Sequence, residues 1–330
     1  MAKTWHNTSQ FMNTGFWSQF NRPIMALAPM ANVTDAAFRR IIAKYGKPDV
    51  TWTEFVSCDG LCSEGRSRLL PDFWFEDGQR PIVAQIFGAN PENFFTTAKL
   101  VRELGFDGID INMGCPDKAV LKQGAGAALI KDHALTREIM AATIEGAGGL
   151  PLSVKTRIGD TRNTLDEWLP VLLSAKPATI TVHARTRKQM SLVPAQWETV
   201  KQAVEIARGS GTLILGNGDV EDLDQAHARI AETGADGVMI GRGIFGNPWL
   251  FSSRKREDVP LEERLRVMLE HTNLFEELFP GIKSFDVMKK HYKAYVNNFP
   301  GASEMRAELF QTKTAAEVAD IVKRHFAVTI

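Results

Sequence analysis

Eight short apolar runs recur along this chain, and their spacing leaves few folds open. They are Ile24–Ala28, Val50–Glu54, Ile82–Phe87, Gly108–Ile111, Leu152–Lys155, Thr179–Val182, Leu213–Leu215 and Gly237–Ile240. Most are rich in β-branched residues, none alternates strictly, and they end at polar residues or glycine. Runs of this kind suit parallel strands covered by helices on both faces. Helical patterns fill most of the gaps, at Asp35–Tyr45, Pro91–Leu104, Ala134–Ala147, Leu165–Ser174, Trp197–Ala207 and Val220–Thr233. Thr34-Asp35 and Asn90-Pro91-Glu92 are good helix starts. Eight strand–helix units over roughly 240 residues match an α/β fold of the (β/α)₈ TIM-barrel type. A doubly wound sheet would want a glycine-rich turn after the first strand, and Ala28-Pro29-Met30-Ala31 is not one.

The strand signal stops near Pro260. Leu261–Phe279, Ser284–Asn297 and Thr314–Phe326 read as helices, punctuated by Pro280-Gly281 and Phe299-Pro300-Gly301. The expectation is a barrel over residues 1–255 followed by a smaller all-helical C-terminal domain over 256–330. Formal net charge is zero, so any nucleic-acid contact needs a local basic face. Lys289, Lys290, His291 and Lys293, joined by Arg306, are the candidates for one. Three cysteines are too few for a disulfide framework, and a reduced, cytoplasmic setting is expected. No apolar run approaches the ~20 residues that span a bilayer, and Met1–Phe20 lacks the features of a signal peptide.

A barrel enzyme builds its site at the carboxyl ends of the strands. Glu54, Gln85, Asn112, Lys155, Arg157, His183, Arg185, Asn217, Asp219 and Arg242 all fall at or near such ends. Cys115 lies just past the fourth strand, fixed between Gly114 and Pro116. The glycines of Gly216-Asn217-Gly218-Asp219 and Gly241-Arg242-Gly243 occupy the two loops where barrels usually hold phosphate. Lys155 and His183 suit the neighbourhood of an electron-rich ring, and Gln85 and Asn112 offer donors and acceptors for its edge. The set fits flavin mononucleotide, whose reduced form is stabilised by nearby positive charge. No motif resembles a metal site, and Cys58 and Cys62 lack a second ligand pair. No Cys/His pair is visible to activate Cys115 as a nucleophile. A protonated thiol beside a flavin can instead act as a general acid in reducing a polarised carbon–carbon double bond.

These residues resemble the dihydrouridine synthases over most of the chain. The carrying segments are Ala28-Pro29-Met30, Thr53-Glu54, Gln85-Ile86-Phe87-Gly88, Asn112-Met113-Gly114-Cys115-Pro116, Gly124–Leu129, Lys155–Gly159, Thr181–Arg187, Gly216–Asp219, Gly241-Arg242-Gly243 and Gly246-Asn247-Pro248-Trp249. Lys289–Tyr292 and Phe299–Ala302 add to the likeness in the tail. The resemblance implies an FMN barrel that reduces uridines in tRNA to 5,6-dihydrouridine with electrons from NADPH. It implies that Cys115 protonates C5 while hydride reaches C6. Pro29, Met30, Gln85, Lys155, His183, Asn217, Gly218, Asp219, Gly241 and Arg242 would contact FMN. Asn112 would line the base pocket, and Arg185 and Arg187 would meet RNA phosphate. The helical tail would bind RNA, and a monomer is expected. Family members often carry Gln-x-Tyr-x-Gly ahead of the tryptophan, whereas this chain has Gln189-Met190-Ser191-Leu192-Val193-Pro194-Ala195-Gln196-Trp197. An FMN barrel acting on a free pyrimidine, as dihydroorotate dehydrogenases do, and an inactive RNA-binding barrel are the alternatives.

Overall fold

The computed structural model describes residues 13–21 and 23–326. The strands are β1 (Ile24–Leu27), β2 (Val50–Trp52), β3 (Val56–Ser57), β4 (Ile82–Phe87), β5 (Gly108–Met113), β6 (Leu152–Arg157), β7 (Thr179–His183), β8 (Leu213–Asn217) and β9 (Gly237–Ile240). All pair in parallel, and β2 pairing with β4 closes the ring. Closure leaves no sheet edge open. β2 and β3 share one barrel position, for both run beside β4. Between them the Thr53 hydroxyl accepts from the Gln85 amide at 3.1 Å, so a side chain replaces a ladder carbonyl where the strand breaks. The eight predicted runs therefore fall at the eight barrel positions; at the second, the piece Val56–Ser57 lies beyond the predicted run Val50–Glu54.

The amino-terminal end of the barrel is closed by aromatic packing. Trp17 sits on the short turn Gly15–Gln19 and meets Trp52 at 5.9 Å between ring centroids. Ile24, Val50, Val83, Leu215 and Met239 complete this cluster. Trp17 is thus buried core, and residues 1–12 lie outside the described residues. With that end filled, the carboxyl end is left for polar side chains.

The barrel helices start where the sequence placed caps. Asp35 accepts from the Phe38 amide at 2.9 Å ahead of the helix Ala36–Tyr45, and Asn90 accepts from Glu92 ahead of Pro91–Glu103. Such caps satisfy amides that a first turn leaves unpaired. The tail contains the helices Leu261–Leu278, Met288–Tyr295, Ala302–Leu309 and Ala315–Phe326. The third was not expected, because its start lay hidden in the Pro300-Gly301 break. Phe275, Tyr292 and Val318 share one core with Ala37, Ile41 and Trp249 of the barrel, so the tail is docked through apolar contact. At this junction Gly246 has φ +65°, and an added Cβ would lie 2.0 Å from the Ala294 carbonyl oxygen. No described helix is long and apolar enough to cross a membrane.

Candidate active site

The cysteine turn is held from several directions. β5 delivers Asn112, whose Oδ1 accepts from the Gly114 and Cys115 amides at 3.1 and 2.9 Å. Arg157 at the end of β6 donates from Nε to the Gly114 carbonyl at 2.8 Å. The Ala127 amide donates to the Cys115 carbonyl at 3.1 Å. Gly126, at φ +61°, makes this approach possible, since a Cβ there would come 2.9 Å from the Cys115 oxygen. The thiol itself is only partly exposed. Burial raises its pKa, so it carries its proton at neutral pH.

Beside the turn lie Lys155 and His183. Lys155 donates from Nζ to Asn217 Oδ1 at 3.1 Å, and Asn217 donates to the Met239 carbonyl at 2.7 Å. Burial, reinforced by Arg157, brings Lys155 down to about 8, which leaves it mostly cationic at neutral pH. Burial lowers His183 well below its usual range, with Lys155, Arg157, Arg185 and Arg242 adding to the effect. Its ring is neutral. Arg185 Nη1 lies 3.2 Å from His183 Nε2, and a guanidinium can only donate. This assigns the acceptor role to Nε2 and the ring proton to Nδ1.

A cavity of about 1110 Å³ opens over these groups. Pro29, Met30, Gly218, Asp219, Gly241 and Arg242 line it, and Pro116 marks the cysteine turn. Gln85 and Asn112 are buried. The cavity extends outward to Arg254–Glu257, a border the sequence reading did not assign to the site. Most predicted cofactor residues therefore converge. Asn217 is brought to Lys155, and Arg242 reaches Asp219 at 2.9 Å from the rim.

The two arginines expected at RNA phosphate are engaged inside the protein. Arg185 is only 2% exposed, forms an ion pair with Asp219 and donates from Nε to the Val193 carbonyl at 2.6 Å. Arg187 pairs with Asp160. Arg185 thus braces the loop that carries Met190, Leu192 and Val193. The expected basic face on the tail loses His291 but keeps Lys293 exposed. His291 is buried against Phe38 and His271, Lys289 pairs with Asp286 at 2.8 Å, and Arg306 donates to the Val296 carbonyl. Sequence reasoning missed Asp110 and Ser153 beneath the site. Asp110 was visible as a carboxylate interrupting an apolar run, a signal that its partners had to be inside.

The model of the dihydrouridine synthase family matches residues 26–330. "Probable tRNA-dihydrouridine synthase" of Staphylococcus aureus (strain COL) is 40% identical over 315 residues, covering 93% of this chain and 94% of the relative. "Probable tRNA-dihydrouridine synthase 2" of Bacillus subtilis (strain 168) is 38% identical over 312 residues, covering 93% and 95%. Among solved structures, a 2-naphthoyl-CoA reductase complex has TM-score 0.54 at 13% identity, covering 69% of this chain and 49% of that one. Histamine dehydrogenase from Rhizobium sp. 4-9 has TM-score 0.51 at 16% identity, covering 76% and 48%. These two likenesses concern the fold alone.

Proposed function

This chain belongs to the dihydrouridine synthase family, and from that premise we propose that it reduces uridines of tRNA to 5,6-dihydrouridine in the cytoplasm, acting as a monomer. One observation carries the reading. A thiol that burial keeps protonated sits next to Pro116, which lines a cavity that also holds a half-buried cation, Lys155, and a neutral imidazole, His183.

The donor set fits FMN. Lys155 supplies positive charge, and Gly241 lies beside Ala28 and Met30, where an added Cβ would make ordinary contacts at 3.7 and 3.8 Å. Pro29, Met30, Gln85, Lys155, His183, Asn217, Gly218, Asp219, Gly241 and Arg242 would hold the cofactor. When bound and reduced by NADPH, FMN supplies the hydride for C6 of uracil. Cys115 holds the proton destined for C5, and its loss to C5 leaves a thiolate that regains a proton from solvent. Asn112 fixes the turn carrying that thiol and borders the base. Arg187, partly exposed beside Asp160, remains the candidate for RNA phosphate, while Arg185 braces the loop next to it. The base must leave its stack to reach a barrel mouth, and the helical tail would hold the RNA body by shape and phosphate.

The test is incubation of the purified protein with unmodified tRNA and NADPH, followed by nucleoside mass spectrometry. The expected result is a yellow protein, dihydrouridine in the tRNA, and RNA binding that weakens steeply with salt. Turnover of a free pyrimidine with none on tRNA would overturn the reading.

A further inference from the structure

Beneath the cysteine turn runs a chain of side chains whose hydrogen bonds all point toward Asp110. Ser153 Oγ donates to Asp110 Oδ1 at 2.6 Å, and Gln85 Nε2 donates to Asp110 Oδ2 at 2.6 Å. Asn112 Nδ2 donates to Gln85 Oε1 at 3.0 Å. Asn112 Oδ1 receives the Gly114 and Cys115 amides. Asp110, Gln85 and Asn112 are all buried, on adjacent strands β4 and β5.

The two ends of this chain determine its direction. Backbone amides can only donate, so Asn112 must turn its oxygen toward the cysteine turn. An ionised carboxylate can only accept, so Gln85 must turn its nitrogen toward Asp110. Each amide between them could be flipped, but only one orientation satisfies both ends. We propose that Asp110 is a positioning residue for the reaction, setting through Gln85 and Asn112 the hydrogen-bond direction that holds the Cys115 turn. The proposal rests on the reading of Cys115 as the proton donor. It adds a residue that touches neither the thiol nor the cavity.

The surroundings of Asp110 are consistent with an acceptor. Burial raises its carboxyl to about 6, while hydrogen bonds from Ser153 and Gln85 and the charge of Lys155 on β6 hold it down. It is therefore mostly ionised at neutral pH.

The substitution Asp110→Asn keeps shape and removes the acceptor-only end. With Ser153 still donating to the oxygen, the new amide nitrogen faces Gln85 and asks it to flip. The flip then places donor against donor at Asn112 or at the cysteine turn. The double variant Asp110→Asn/Gln85→Glu repairs the direction. In it the amide introduced at position 110 donates to the carboxylate introduced at position 85, which accepts from Asn112 as before.

The experiment measures amide hydrogen exchange at Gly114 and Cys115, alongside kcat and KM for tRNA, in FMN-loaded wild type, single and double variants. The single variant is expected to lose amide protection by about tenfold or more. Its kcat should fall by about 100-fold with KM nearly unchanged, the signature of a misplaced reacting group. The double variant should recover the protection. Unchanged protection in Asp110→Asn, or protection not recovered in the double, overturns the proposal. If the single variant fails to fold, a folded double variant with protected amides supports the relay, and one with exposed amides overturns it. If wild type makes no dihydrouridine, the functional reading fails while amide exchange still decides the relay.

Discussion

Two of the places where the molecule buries polar side chains treat them in opposite ways. At the barrel mouth, Asp110, Gln85, Asn112, Asn217 and Arg185 each find partners within 3.2 Å. At the seam between barrel and tail, His271 and His291 lie edge to face, 4.7 Å between centroids, and Phe38 lies 5.1 Å from His291. Their four ring nitrogens, Tyr295 Oη and Trp249 Nε1 have no hydrogen-bond partner among the described residues. Unsatisfied buried groups cost stability, so such a seam depends on its rings being neutral and well packed. Burial lowers His271 to about 3 and His291 well below its usual range. The mouth uses polar atoms for direction, while the seam uses polar rings for volume.

The sharpest way to break that contrast is at Cys115. If the mouth serves direction toward one proton, Cys115→Ala removes the proton source and little else. Dihydrouridine formation should fall by about 10²–10⁴-fold, the usual share of a general acid. Bound flavin, read by its visible absorbance, should remain. Turnover within tenfold of wild type would mean that the proton comes from elsewhere and that the turn is structural.

The mouth was more legible in the sequence than the seam. Strand ends in a barrel converge on one face, so Lys155, His183 and Asn217 could be grouped before any contact was known. Arg185 shows where that logic stops. Its partner Asp219 lies 34 residues away, and charge alone does not say whether an arginine meets a ligand or a neighbour. Asp110 stood out in its apolar run, but its partners could not be named because they come from two other strands. His291 was read with its basic neighbours, although a helix sends adjacent residues to different faces. Trp17 gave no signal because its pocket is built jointly by β1, β2, β4, β8 and β9.

A middle-sized effect is expected from acid at the seam. The folded pKa of His271, about 3, lies below the ordinary value of 6.5 that the unfolded chain keeps. The unfolded chain therefore binds the proton first as pH falls. Stability from the neutral ring is fully present above about pH 6.5 and is lost progressively toward pH 3. At pH 5 this ring alone accounts for about 2 kcal/mol. Denaturant titrations of wild type and His271→Leu at neutral pH and near pH 5 measure it. Wild type should lose that much more than the variant. Equal losses would show that the protonated ring finds a partner, and that the seam resembles the mouth after all.

The smallest effect is expected at the outer edge of the same seam. There Lys44 and Tyr45 from the barrel reach opposite oxygens of Glu270, each at 2.6 Å. Short distances alone would make this contact look like a clasp between the two units. Yet Lys44 is mostly solvated, with 58% of its side chain exposed. An ion pair in such surroundings contributes about 0.2–1 kcal/mol and is screened by salt. The apolar contacts of Phe275, Tyr292, Ile41 and Trp249 lie deeper and are indifferent to salt. Lys44→Ala should therefore lower stability by less than about 1 kcal/mol in dilute buffer. In about 1 M salt the difference from wild type should nearly vanish, because the screening length falls to about 3 Å. A loss of about 3 kcal/mol that survives salt would equal that of a buried pair, and the seam would then be held by directed polar contacts like those at the mouth.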